Sequence, residues 1–148
     1  MERNFDQMVE RLMEMPCWVV DFLPRRVSQD GGGQFFAVER YYLEEPQFGC
    51  LCARLADTLL KLNCYHDLHV SCGEEWVKNP MPAILVAWVT EALKHGHLCA
   101  LIDDGAALVA ASGGDTHLTL YNPSLNLLEL VGQLASSAGL FLWQPQDI

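Results

Sequence analysis

Basic residues are scarce in this 148-residue chain. It has 9 Lys and Arg side chains against 19 Asp and Glu, so the formal net charge at pH 7 is −10, and no Lys or Arg follows Lys94. Nucleic acids and anionic membranes attract proteins that carry clustered basic side chains. The composition therefore predicts no nucleic acid partner and no membrane partner.

Long apolar runs are also missing. The longest one, Ala83 to Val89, is far shorter than the ~20 residues that cross a bilayer. The charged residues Glu2 and Arg3 stand where a secretory signal needs an apolar run. We therefore expect a soluble cytoplasmic protein, and we take a bacterial source as the working assumption.

The apolar content of the chain indicates a packed core. Hydrophobic residues make up 51% of it, which is more than a disordered chain contains. The length suits one domain, so residues 1–148 are predicted to form a single globular domain with residues 1–15 as an appended helix. A chain of this size needs no disulfides for stability, and a reducing compartment disfavours them. We expect free thiols at all six cysteines, which are Cys17, Cys50, Cys52, Cys64, Cys72 and Cys99.

Hydrophobic periodicity and turn residues predict the order α-β-β-α-β-α-β-β-β-α-β. The predicted helices cover 1–15, 46–62, 80–95 and 124–138. The predicted strands cover 17–23, 35–43, 67–72, 98–102, 106–111, 116–121 and 140–143. Asp30-Gly31 is taken as the turn of a first hairpin, and Asp103-Asp104-Gly105 as the turn of a second. The fold class is α+β, a mixed and largely antiparallel sheet packed by about four helices.

Comparison of the sequence with itself at an offset of 72 residues suggests an internal duplication. It places Leu55 on Leu127 and Leu59 on Val131, and it also aligns the strands that follow the two helices. Two pseudo-repeated β-β-α-β units, at 17–72 and 98–144, are one interpretation. The alternative is a shared apolar register without any duplication, since any helix followed by a strand gives such a match.

Asp21 interrupts an otherwise apolar strand, and an unpaired buried carboxylate is costly. If the first hairpin turns at Asp30-Gly31, Asp21 lies opposite Arg40, and the two are predicted to form a structural cross-strand ion pair. A general acid or base role for Asp21 would need a second polar group and a cleft, and neither can be read from the chain.

The sequence motifs give no basis for a catalytic residue, a cofactor or a metal. Cys64, His66, His69 and Cys72 have the composition of a zinc site. However, they lie along one helix end and one strand, where His69 and Cys72 face opposite sides. Surface histidines and a buried Cys72 are the preferred interpretation. Neither a Gly-x-Ser-x-Gly elbow nor a phosphate-binding loop occurs.

The last 54 residues carry five acidic side chains and no basic one. Asp103, Asp104 and Asp115 are the candidate partner surface, to which a basic protein would be steered. The first functional hypothesis is therefore a non-enzymatic protein-binding module, comparable to an inhibitor or an immunity protein. The alternative is a small enzyme or small-molecule-binding protein with a cleft between helix and sheet. A concave pocket with convergent polar groups would favour the alternative.

Overall fold

A computed structural model describes residues 4–28, 30, 32–73 and 75–145 of the chain. Its helices are α1 (Phe5–Leu12), α2 (Phe35–Leu43), α3 (Gln47–Asn63), α4 (Pro82–His95) and α5 (Leu125–Ser137). Its strands are β1 (Cys17–Asp21), β2 (Leu68–Ser71), β3 (Trp76–Lys78), β4 (His97–Ile102), β5 (Ala107–Ser112), β6 (His117–Tyr121) and β7 (Phe141–Trp143). The strands form one antiparallel sheet in the order β3-β2-β4-β5-β6-β1-β7. The predicted α+β class is confirmed.

One face of the sheet is covered by α3, α4 and α5. Alternation along the strands turns Val20, Val109 and Leu118 toward these helices, where they join the main core. Helix α3 contacts both α4 and α5, because its apolar residues recur at helical spacing and form one buried stripe. The leucines of this stripe are Leu51, Leu55, Leu59 and Leu62. Within the described ranges, no helix has both the length and the apolar character needed to cross a membrane.

The opposite face of the sheet carries α1 over one half only. Asn4 caps this helix by accepting a hydrogen bond from the backbone N–H of Gln7 at 3.0 Å. Leu12 packs against Leu101 of β4 and Leu108 of β5. Phe5 lies against His69 of β2, with 4.9 Å between ring centroids. Helix α1 therefore packs on β2, β4 and β5. Strands β1, β6 and β7 form the other half of the same sheet face.

Two local predictions are confirmed in detail. The β4–β5 connection is the tight turn expected at Asp103-Asp104-Gly105, where Asp103 and Gly105 take positive φ angles of 55° and 97°. Helix α5 begins after Ser124, whose hydroxyl accepts from the N–H of Leu127 at 3.1 Å. In both places the signal is local, because a cap or a turn depends on neighbouring residues alone.

The predicted strand at 35–43 is wrong, since these residues form α2. Strand β1, its supposed partner, pairs with β6 along one edge and with β7 along the other. No edge of β1 is left for residues 35–43. The segment instead becomes a helix whose less exposed residues, Phe35, Glu39 and Tyr42, follow helical spacing. Tyr42 packs on Phe22, with ring centroids 4.8 Å apart.

Other parts of the predicted order also change. Strand β3 was not predicted, and α4 begins at Pro82 rather than at Pro80. Asn79, just before the predicted start, caps no helix and accepts a hydrogen bond from the N–H of Leu68 at 2.9 Å. The first pseudo-repeat is wrong as drawn, because residues 17–72 contain β1-α2-α3-β2 and not β-β-α-β. The second segment does contain β5-β6-α5-β7 in the predicted order.

We expect the core to depend on the α3 stripe. Leu59 is 1% exposed, so Leu59→Ala leaves a cavity between helix and sheet and lowers the free energy of unfolding by about 2–5 kcal/mol. Leu125→Ala is the matched control, because this side chain is 85% exposed and its removal changes stability by about 0.5 kcal/mol or less. Urea unfolding monitored by circular dichroism measures both. Equal losses in the two variants would contradict the described packing.

Candidate functional site

A pocket of about 550 Å³ lies where β1 ends and β6 begins, on the sheet face that also carries α1. Three strands supply its floor, with Val19 and Asp21 from β1, His117 from β6 and Trp143 from β7. The strand registers explain this grouping, because Asp21 pairs with His117 and Val19 pairs with Trp143. Directly opposed residues in an antiparallel pair project on the same face.

Asp21 is a half-buried carboxyl group in this floor. One of its oxygens accepts a hydrogen bond from the backbone N–H of Phe22 at 2.8 Å. Burial nevertheless raises the pKa of Asp21 above its ordinary value of 3.8, against the opposing effects of the Phe22 hydrogen bond and the nearby His117. Loss of water disfavours the charged form of an acid. Asp21 is therefore held in an environment that suits a neutral carboxyl or a carboxylate facing a cation.

His117 lies opposite Asp21 in the sheet and near a second carboxylate. Its Nε2 lies 3.9 Å from Oδ2 of Asp115, while its partner across the sheet is Asp21. The adjacent Thr116 is buried and also lines the pocket. An imidazole near carboxyl groups supplies the components of an acid–base pair.

Trp143 brings a hydrogen-bond donor to the pocket floor. Its indole N–H lies near Asp21 and helps to lower the pKa of that carboxyl. Its buried nitrogen, however, makes no hydrogen bond of regular geometry with any group in the described part of the chain. A buried N–H that lacks a partner costs free energy.

The walls and the rim come from the connection between β1 and α2, and from α2 itself. The apolar wall residues are Phe22, Leu23, Val27, Phe35 and Phe36. Arg25, Arg26 and Glu39 also line the pocket, and the two arginines are exposed. Arg25-Arg26 is the only place in the chain where two basic residues are adjacent. The pocket therefore has a carboxyl in its floor, aromatic walls and guanidinium groups at its rim.

The predicted cross-strand pair of Asp21 and Arg40 is wrong in its geometry. Arg40 lies on α2, and its side chain is exposed. The cross-strand neighbours of Asp21 are His117 and Phe141. The prediction correctly singled out Asp21 as a polar group in an apolar strand. It failed because the hairpin that would have placed Arg40 opposite does not form.

The predicted acidic surface is divided between two ends of the sheet. Asp103 and Asp104 lie in the β4–β5 turn, whereas Asp115 lies in the β5–β6 connection at the opposite end of β5. Asp103 also contacts His66, with Oδ2 3.0 Å from Nδ1. A partner that engages all three carboxylates would have to reach along the full length of β5, about 20 Å for six residues.

The four residues that resemble a zinc site in composition make separate contacts. They are Cys64, His66, His69 and Cys72. His66 contacts Asp103, and the thiol of Cys72 donates to the carbonyl oxygen of Trp88 at 3.7 Å. His69 lies beneath Phe5. Among the residues that the structure describes, no three His, Cys, Asp or Glu side chains come together as metal ligands.

His117, Trp143 and the Arg25-Arg26 pair were not identified as site residues from the sequence. The arginine pair has a visible signal, since it is a local excess of positive charge in an acidic chain. His117 and Trp143 have none, because they are distant from Asp21 in the chain and only strand pairing brings them together. A separate void of about 10 Å³ lies in the main core, next to Val20 and Leu59. It is too small for an organic ligand.

Comparisons of the chain with protein-family models, with curated proteins and with solved structures found no match.

We expect Asp21→Asn to stabilise the protein at neutral pH. The raised pKa means that the folded state binds a proton more tightly than the unfolded state, so stability falls as pH rises through that pKa. Asparagine removes the buried charge, and the difference in melting temperature from the wild type should grow between about pH 4 and about pH 8. Asp57→Asn on the exposed side of α3 is the control. A gain that is the same at both pH values would contradict the assigned cause.

The cysteines should differ widely in reactivity. All six are unpaired. Burial raises the pKa of Cys52 to about 11, whereas Cys50 and Cys64 are exposed. The thiolate is the reactive form, so we expect iodoacetamide to modify Cys50 and Cys64 in the native protein and Cys52 only after unfolding. Peptide mass spectrometry measures the labelling, and six labelled sites are expected in denaturant without reductant. Rapid native labelling of Cys52 would contradict its burial.

Proposed function

We propose that this protein binds a small organic molecule in the pocket formed by β1, β6, β7 and the N-terminal part of α2. The observation that carries the proposal is the convergence of Asp21, His117 and Trp143 on one concave floor. The pocket volume falls in the range of about 300–1,000 Å³ that small-molecule sites occupy. A few polar groups among apolar and aromatic walls are typical of such sites.

The energetics of the floor support the same proposal. Asp21 is held where loss of water disfavours its charge, and the Trp143 N–H is buried without a regular acceptor in the described residues. Polar groups placed in this way reduce stability unless a partner compensates them. Such costs are common at functional sites, where perturbed titratable groups concentrate. A ligand with matching polar groups would recover part of the cost on binding.

A basic protein partner at Asp103 and Asp104 is the weaker proposal. Asp103 already faces His66, and Asp115 lies at the far end of β5. Carboxylates of this kind also serve turn geometry and solubility. The pocket offers a concave surface lined by polar and apolar side chains, whereas the β4–β5 turn offers a partner only its acidic side chains.

Acid–base catalysis on the bound molecule is a second candidate function. It is favoured by the position of His117 opposite Asp21 and near Asp115, since imidazole and carboxyl groups are the usual proton-transfer groups of enzymes. A catalytic His117 would lower turnover in His117→Gln with little change in affinity. A binding residue would lower affinity.

Binding can be tested by nuclear magnetic resonance with a collection of small organic compounds. The indole N–H signal of Trp143, assigned from Trp143→Phe, reports on the pocket. We expect bound compounds to shift this signal. Trp76 on the β3 edge and Trp88 on α4 lie outside the pocket lining, so their signals should stay in place. If no compound shifts the Trp143 signal selectively, the proposed function is wrong.

Two double variants provide the specificity control. Asp21→Asn with His117→Gln removes both ionisable groups of the floor at nearly constant shape, and we expect the affinity of the bound compounds to fall about tenfold or more. Asp103→Asn with His66→Gln removes an Asp–His contact that lies outside the pocket, and should leave affinity unchanged. Equal losses in both double variants would contradict a role for this floor.

A further inference from the structure

The acidic and basic groups that line the pocket differ in their exposure to solvent. Asp21 is half-buried in the floor, whereas Arg25 and Arg26 are exposed at the rim. Aromatic side chains lie among the residues between these groups, with Phe22 following directly after Asp21 and Trp143 next to it. A ligand in this pocket therefore meets the carboxyl group of Asp21 and the exposed guanidinium group of Arg25.

The floor is suited to an organic cation. A desolvated carboxylate is stabilised by an opposite charge within a few ångströms, and aromatic faces attract ammonium groups. The net charge of −10 also favours the approach of a cation. His117 is the titratable group opposite Asp21 on β6, and Glu39 of α2 also lines the pocket.

The rim is suited to an anion. Arg25 directly follows Pro24 in the connection between β1 and α2, and it lines the pocket. A guanidinium group binds carboxylates through two parallel hydrogen bonds and stays charged at all working pH values. The apolar residues Phe22, Leu23 and Phe35 also line the pocket.

We propose that the ligand is an elongated zwitterion, with an ammonium group at Asp21, a carboxylate at Arg25 and an apolar body against Phe22 and Phe35. Both ω-amino acids and short apolar peptides belong to this class. The inference depends on the proposed binding function, because it names the chemistry of the molecule that the same pocket takes.

Three probes of equal chain length test the charge pattern. They are ω-aminooctanoate, octylamine and octanoate, titrated against the protein while the Trp143 indole signal is followed. We expect ω-aminooctanoate to bind about tenfold or more tightly than either singly charged probe, because each ion contact contributes separately. Equal affinity of the three probes would overturn the zwitterion proposal.

Single variants assign each end of the ligand. Asp21→Asn should weaken ω-aminooctanoate and octylamine about tenfold and leave octanoate unchanged or tighter. Arg25→Gln should weaken ω-aminooctanoate and octanoate but not octylamine. Arg40→Gln is the matched control, since Arg40 is an exposed arginine on α2 outside the pocket lining. The reverse pattern, or equal effects on all three probes, would contradict the proposed orientation.

The outcomes separate this inference from the proposed function. If neutral or purely anionic compounds bind at Trp143 and ω-aminooctanoate does not, the pocket binds small molecules but the zwitterion proposal is wrong. If no compound of any charge shifts the Trp143 signal, both proposals are wrong. A loss of affinity in Asp21→Asn is interpretable only for a folded variant, and the circular dichroism spectrum of each variant establishes this.

Discussion

The arrangement of the protein depends on β1 being paired along both of its edges. β6 occupies one edge and β7 the other, so this short strand connects the start of the chain with its end. Backbone donors and acceptors in a sheet interior must be paired, and β1 is paired on both edges from Val19 to Asp21. This double pairing also excludes any further strand, which makes the segment after Asp21 leave the sheet and form α2.

The same pairing creates the pocket. Asp21 stands at the end of β1, and its neighbours are decided by register, with His117 from β6 and Phe141 from β7. The connection that leaves the sheet lines the pocket with Phe22 and Arg25, and the start of α2 lines it with Phe35. The connection between β1 and α2 and the polar end of β1 at Asp21 therefore line the same pocket. Neither of them would form a pocket alone.

The two halves of this sheet face have different roles. Helix α1 seals the part at β4 and β5 with an apolar contact between Leu12, Leu101 and Leu108. The part at β1, β6 and β7 keeps polar groups, including a carboxyl whose pKa is raised by burial. A protein that only needed stability would place apolar side chains at both parts. The cost at Asp21 is one of the observations that support the proposed binding function.

Local signals in the sequence determined much of the fold. The helix with the α3 leucine stripe, the helix that begins at Ser124 and the Asp103-Asp104-Gly105 turn each depend on residues a few positions apart, and all three formed as predicted. The apolar surroundings of Asp21 also identified it as unusual. Only the tertiary structure decided the neighbours of Asp21, because strand pairing joins residues about a hundred positions apart. A β-forming stretch such as 35–43 also adopts a strand only where a sheet edge is open. Because both edges of β1 are paired, Arg40 lies on α2 and not opposite Asp21. His117 pairs with Asp21 across the sheet, and the Trp143 side chain lies near its carboxyl group.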